Sequence, residues 1–211
     1  MDERAEGGPG GRPPRWRALV ERANPQGKRV WIDMEQHAYV DVTLELYRRV
    51  LARFPNVGVC LQAYLYRTAD DVASLIPLGG GIRLVKGAYR EPASIAYAQK
   101  ADVDRSFVTL AKQMMAPEAR AAGLRAVFGT HDDRMIQAIQ SHASATGVGK
   151  DGFEFALLFG IQRAEQIRLA AERYHVRVLI SYGDYWFPWY MRRLAERPAN
   201  MWFVAKSLVS R

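Results

Sequence analysis

"GIRLVKGAY", residues 81–89, contains the run Ile82-Arg83-Leu84-Val85-Lys86, an apolar strand with two cations set into it. Side chains alternate across a strand, so Arg83 and Val85 point one way while Ile82, Leu84 and Lys86 point the other. At least one of the two charges must therefore meet something other than hydrocarbon. Working outward, apolar runs of strand length recur at 29–33 (RVWID), 57–63 (VGVCLQA), 125–129 (RAVFG), 153–158 (FEFALL), 176–181 (VRVLIS) and 201–205 (MWFVA). The stretches between them carry helical spacing: Leu46, Tyr47, Val50, Leu51 and Phe54 share a face, as do Val103, Phe107, Leu110 and Met114, then Ile167, Ala170, Ala171 and Tyr174. Strands that alternate with helices pair in parallel through crossover connections. Together with 82–86 the runs give seven strand candidates. The fold class read from them is α/β, an incomplete (β/α)8 TIM-like barrel one strand short of eight, with a doubly wound open sheet as the runner-up.

The 211 residues are 49% hydrophobic and 25% charged, proportions of a globular chain with one sizeable core. Residues 1–14, rich in glycine, proline and charge, read as a disordered leader, and 15–211 as a single barrel domain opening on the helix candidate "RWRALVERA". No apolar run approaches the roughly 18 residues of a membrane span, and the start lacks the apolar centre of a secretory signal. A cytoplasmic protein is the expectation. The single cysteine, Cys60, lies in an apolar run and reads as a small core residue. The net charge of +8 raises nucleic acid as a partner. The arginines are scattered and often neighbour acidic residues, as in "LELYRRV", so solvated helix faces are the better reading and no nucleic acid is expected.

In a barrel of this kind, chemistry gathers where strands end and the following loops begin. Those ends carry Asp33, Gln62, Arg83 with Lys86, Thr130-His131-Asp132, and Tyr182-Gly183. Polar groups pointing into a packed interior are costly unless each finds a partner. Repetition at the same end of successive strands favours a site over chance. The histidines His37, His142 and His175 show no ligand spacing, so no metal is expected. "GGG" at 79–81 precedes a strand and does not open a helix, which excludes a Rossmann fingerprint.

Several segments resemble the proline dehydrogenase family: "WIDME" at 31–35, "LQAYLYRT" at 61–68, "IRLVKGAYREP" at 82–92, "FGTHD" at 128–132, "FEFALLFG" at 153–160 and "YGDYWFPWYMRRLAERPAN" at 182–200, in the family's order. The resemblance implies a distorted (β/α)8 barrel holding FAD. It places Arg83 beside the flavin N5, where a fixed cation favours the electron-rich reduced ring, and makes Asp33 a second active-site residue. An arginine paired structurally with Asp33 is the plainer alternative, and both can hold. Lys86, Gly87 and Ala88 end a strand where an ammonium and close backbone could meet a phosphate. Gln62 offers an amide to a flavin edge, and Met34, Thr130 and His131 match further FAD-contacting positions. Taken alone, His131 reads as a helix-start or core histidine.

The same resemblance assigns the substrate carboxylate to Arg192 and Arg193, with Glu196 at i+4 and i+3 to steady one guanidinium. Without it, an ordinary solvated helix face is the better account of that pair. Tyr89 and Leu158 match pocket positions, and Tyr185, Trp186, Trp189 and Tyr190 would be apolar walls. The implied reaction takes L-proline, or a related cyclic amino acid, to 1-pyrroline-5-carboxylate by hydride transfer to N5. Electrons then pass to a quinone, which would put the protein at the periphery of the inner membrane. Two departures stand out. The family's tyrosine in "Y-x-P-Y-G" is Leu179 in "LISYG", which removes a hydroxyl from the pocket, and the first barrel strand with its lysine has no counterpart before "RVWID". A barrel lacking a strand leaves unpaired edges, so a truncated product, with an oligomer to cover the edges, is the expectation. The competing functional reading is a non-catalytic remnant or basic interaction module that binds no flavin.

Overall fold

In the computed structural model, which describes residues 15–184, strand β3 (Gly81–Val85) pairs in parallel with β2 (Val57–Gln62) on one side and β4 (Arg125–Gly129) on the other. β1 (Val30–Ile32) extends the sheet beyond β2, and β5 (Phe153–Leu158) and β6 (His175–Leu179) extend it beyond β4. The strand order is the chain order, β1-β2-β3-β4-β5-β6, and every pairing is parallel. A doubly wound sheet reverses its strand order at a switch point. This one does not, so right-handed crossovers put every connecting helix on the same face and the sheet curls into part of a barrel. The seventh strand candidate, 201–205, and the 1–14 segment lie outside the described residues.

The helices are α1 (Arg15–Ala23), α2 (Val40–Leu51), α3 (Thr68–Leu75), α4 (Lys100–Met114), α5 (Pro117–Ala121), α6 (Asp133–Ala145) and α7 (Arg163–Ala171). Between them and the sheet lies the core. Alternation turns Val57, Val59, Leu61, Ile82, Leu84, Ala126, Phe128, Phe153, Phe155 and Leu157 toward the helices, and all are buried. Tyr47 and Val50 of α2 and Phe107, Leu110 and Met114 of α4 meet them, as the helical spacing predicts. Phe128, Phe153, Phe155 and Tyr174 form a ring cluster under β4 and β5, with centroids 5.5–6.5 Å apart.

The expected face of α7 is corrected by the structure. Leu169 is its buried residue, while Ile167, Ala170 and Ala171 are exposed. The helix stops at Ala171 and the chain reverses through Arg173 at φ 67°, so Tyr174 reaches the core from beyond the turn and the helical period does not run through it.

The concave face carries Trp31, Gly58, Cys60, Gln62, Gly81, Arg83, Val85, Arg125, Val127, Gly129, Glu154, Ala156 and Leu158 by the same alternation. At its lower end the Trp31 indole lies across Gly58 and Gly81. A β-carbon on Gly58 would sit 2.5 Å from that ring and one on Gly81 3.1 Å from it, so these glycines are what admit the indole. On β5 the Glu154 carboxylate is buried and ion-paired to Arg125 and Arg177, tying β4, β5 and β6 together.

Candidate functional site

Arg83 emerges from β3 onto the concave face with its side chain 17% exposed. Its guanidinium ion-pairs with Asp33, just past the end of β1, and lies 5.4 Å above the Trp31 ring. Cys60, opposite Arg83 in the register of β2, lies beside the same guanidinium. Burial pushes the Cys60 thiol up despite the adjacent cation, so it stays a neutral thiol at pH 7. The apolar run around Cys60 foretold its burial, but not that its neighbour is a charged group.

Gln62 ends β2 on the same face, one register step above Cys60. It is buried, and its Oε1 has no hydrogen-bond partner among the described residues. A lone acceptor in such a place is rare and costly, and it invites a donor from whatever enters the mouth. Pairing between β2 and β3 continues past the strands: Ala63 N–H donates to Val85 O at 2.8 Å and Tyr64 N–H to Lys86 O at 3.0 Å. Gly87 follows at φ 111°, where a β-carbon would lie 2.2 Å from the Tyr64 ring. Only glycine meets both conditions.

The β4 end supplies Thr130 and His131. Thr130 is buried, and its Oγ1 accepts from the Asp132 N–H at 3.1 Å. His131 Nε2 accepts from the Leu158 N–H at 3.1 Å, which makes Nε2 the unprotonated nitrogen of a neutral ring. The contact links the β4 and β5 ends. Leu158 stands opposite Leu179 of β6 in the register, giving an apolar patch at that side of the mouth.

The long connection from β3 to α4 holds Ala88 and Tyr89, whose hydroxyl hydrogen-bonds the Glu35 carboxylate. Glu91 accepts from the His37 N–H at 2.8 Å, so this connection is tied twice to the loop after β1. Lys86 behaves differently. It is buried on the helix side of β3, with Nζ bonded to Asp104 of α4 and, at 2.7 Å, to Asp132 ahead of α6. Burial alone would push the Asp132 carboxyl up, but Lys86, Lys100 and Arg134 outweigh it and hold the carboxyl at about 2.

The structure thus gathers Asp33, Met34, Gln62, Arg83, Gly87, Thr130, His131, Leu158 and Leu179 at the carboxyl ends of the parallel strands, with Ala88 and Tyr89 in the adjoining loop. Arg192, Arg193 and Glu196, with the nearby aromatics, lie outside the described residues. Tyr64, Glu35 and Asp104 are contributors the sequence reading missed. The i, i+4 spacing of Lys100 and Asp104 is a visible signal for the last, whereas the loops that deliver Tyr64 and Glu35 leave none. Among the described residues no three His, Cys, Asp or Glu side chains are grouped to hold a metal ion.

Comparison with known proteins places this arrangement. A model of the family described as proline dehydrogenase matches residues 8–206. Proline dehydrogenase of Deinococcus radiodurans is 44% identical over 195 residues, covering 92% of this chain and 61% of that protein. Proline dehydrogenase 1 of Bacillus subtilis is 37% identical over 195 residues, covering 92% and 63%. The chain therefore spans about six-tenths of the length of these curated relatives. Among solved structures, a mutant form of proline utilization A from Bradyrhizobium japonicum superposes with a TM-score of 0.76 at 25% identity, over 90% of this chain and 22% of that one. Proline utilization A from Bdellovibrio bacteriovorus, inactivated by N-propargylglycine, gives 0.73 at 25% identity over 84% and 21%. Together with the strand order and the gathered strand-end residues, the match across nearly the whole length shows that this chain belongs to the proline dehydrogenase family.

Proposed function

We propose that this chain oxidises L-proline, or a closely related cyclic amino acid, to 1-pyrroline-5-carboxylate with FAD as its cofactor and a quinone as electron acceptor. The observation that carries the reading is the inward Arg83 guanidinium, held by Asp33, together with buried Gln62 further along the same face, whose amide oxygen has no partner among the described residues. These residues fit a flat heteroaromatic ring with polar edges. Gln62 Oε1 needs a donor, such as an imide N–H, and Arg83 supplies fixed positive charge. Gly87 and Gly129 leave backbone bare at the mouth, where a β-carbon would clash with Tyr64 or Val85. FAD, when bound, supplies a two-electron acceptor for the hydride on the carbon next to the amino acid's ring nitrogen.

The chain's own residues divide the remaining work. Arg83, fixed in direction by Asp33 and by the Trp31 face beneath it, favours negative charge in its neighbourhood, and it does so without moving. Neutral His131 accepts from the Leu158 amide and so fixes the β5 end, where Leu158 and Leu179 give an apolar wall suited to ring methylenes. The proposal gives the substrate carboxylate to Arg192 and Arg193, steadied by Glu196, a bidentate recognition that guanidinium groups perform well. A quinone acceptor implies work at a membrane surface; no helix among the described residues is long and apolar enough to cross one.

The test is spectroscopic. Purified protein is expected to show a flavin absorbance band that bleaches anaerobically on adding L-proline. Arg83→Met is expected to slow that bleaching by on the order of a hundredfold, the scale of removing one preorganised electrostatic contact. A folded protein that is colourless and takes up no added FAD would overturn the proposal.

A further inference from the structure

Lys86 is read by resemblance as a cofactor contact, yet its ammonium is already engaged. It is buried to 6% exposure and divided between Asp104 and Asp132, whose side chains are 14% and 20% exposed. Lys100, 66% exposed, reaches the same two carboxylates from the solvent side, and Arg134 approaches Asp104 at 3.8 Å. An ammonium desolvated this far is tolerable only because it is paired, and turning it toward a ligand would leave two largely buried carboxylates with only the exposed Lys100 and Arg134 between them.

What the ammonium joins is the informative part. Its own strand end leads into Gly87, pressed against Tyr64, and its backbone carbonyl accepts from the Tyr64 N–H. Asp132 donates its N–H to Thr130 Oγ1, caps α6 by accepting from the Arg134 N–H at 3.2 Å, and follows His131 directly. Asp104 fixes the flank of α4, and on the same helix Ser106 Oγ donates to the Ala63 carbonyl at 2.7 Å. A single cation thus joins the exits of β2, β3 and β4.

We infer that Lys86 is a positioning residue: its ammonium, shared by Asp104 and Asp132, sets the Gly87–Ala88 and Thr130–His131 backbones at the mouth and does not itself touch the cofactor. The inference rests on the flavin reading for what is positioned, but not for the strut. The test uses the full chain stripped of flavin, titrated separately with FAD and with riboflavin, which lacks phosphates, by quenching of flavin fluorescence. Lys86→Met, Asp132→Asn, their double variant and Lys86→Arg are compared. Asparagine retains the helix cap, so Asp132→Asn remains informative where Lys86→Met fails to fold.

A positioning role predicts that Lys86→Met and Asp132→Asn each weaken both ligands by a similar factor, on the order of tenfold, with the double variant no worse than either and Lys86→Arg partly restored. Loss of FAD affinity in Lys86→Met with riboflavin unaffected, or an Asp132→Asn protein that binds FAD as the wild type does, would overturn it in favour of a direct phosphate contact. If the wild type binds neither ligand, the proposed function falls while the strut is still read from melting temperatures. Non-additive losses in the double variant then support it and additive losses refute it.

Discussion

Replacing Glu154 with glutamine removes one negative charge from the concave face at almost constant volume. The side chain is 4% exposed and is ion-paired to Arg125 and Arg177, which are 37% and 52% exposed. Burial above all, with the nearby charge of Arg177, already pushes the Arg29 and Arg125 guanidinium groups down. Losing the carboxylate leaves like charges facing one another. Breaking a fully buried pair costs about 3–5 kcal/mol, and an exposed one about 0.2–1 kcal/mol. Here the carboxylate is buried but the arginines can turn partly to water, which puts Glu154→Gln at about 2 kcal/mol. For a chain of this size that lowers the melting temperature by about 4–8 °C. Urea unfolding followed by far-ultraviolet circular dichroism gives the loss directly, and Arg177→Met combined with Glu154→Gln closes a double-mutant cycle. A loss under about 0.5 kcal/mol, or strict additivity in the cycle, would show that the three-strand clamp contributes nothing.

Three further outcomes are expected. Asp132 is held at about 2, below its ordinary 3.8, so its stabilising contribution is complete above the ordinary value and disappears as pH falls through that window. Acid unfolding of Lys86→Met should begin at higher pH than Asp132's behaviour in the wild type would allow but with a shallower slope there, and identical curves would discount the pairing. Gly87→Ala is expected to destabilise by more than about 1 kcal/mol through backbone strain at positive φ, and Tyr64→Leu, which opens only the space, should rescue it incompletely; full rescue would show that crowding alone matters. Phe128→Ala, at a fully buried position in the ring cluster, should cost about 3–5 kcal/mol in urea unfolding, against under about 1 kcal/mol if that core can collapse into the gap.

The barrel was legible because a parallel sheet covered by helices writes itself as short apolar runs at regular intervals, and 57–63, 125–129 and 153–158 need no context to be read. The strand-end polar groups were legible for a related reason: Asp33, Gln62 and Arg83 interrupt runs where a charge or amide has no business unless something meets it. Which face each residue takes was harder. Alternation correctly separated Arg83 from Lys86, but it could not show that Asp104, eighteen positions along the chain, would capture the lysine. The misread face of α7 has a local origin, since a left-handed residue at Arg173 breaks the helical period without glycine to announce it. Tertiary ties such as Tyr89 to Glu35 span 54 residues and depend on loop shape, which periodicity does not encode.

The indole resting on two glycines covers the lower ends of β2 and β3 on the concave face. Along β2 and β3, a visitor arriving from the strand carboxyl ends meets that aromatic plate just below Cys60 and Arg83. Along these two strands the face is therefore shallow by construction, and it suits a thin slab lying across the strands better than a long molecule threading between them. Enlarging either glycine would push the plate off its seat and deepen the face there, well below the strand ends that carry Gln62 and Thr130.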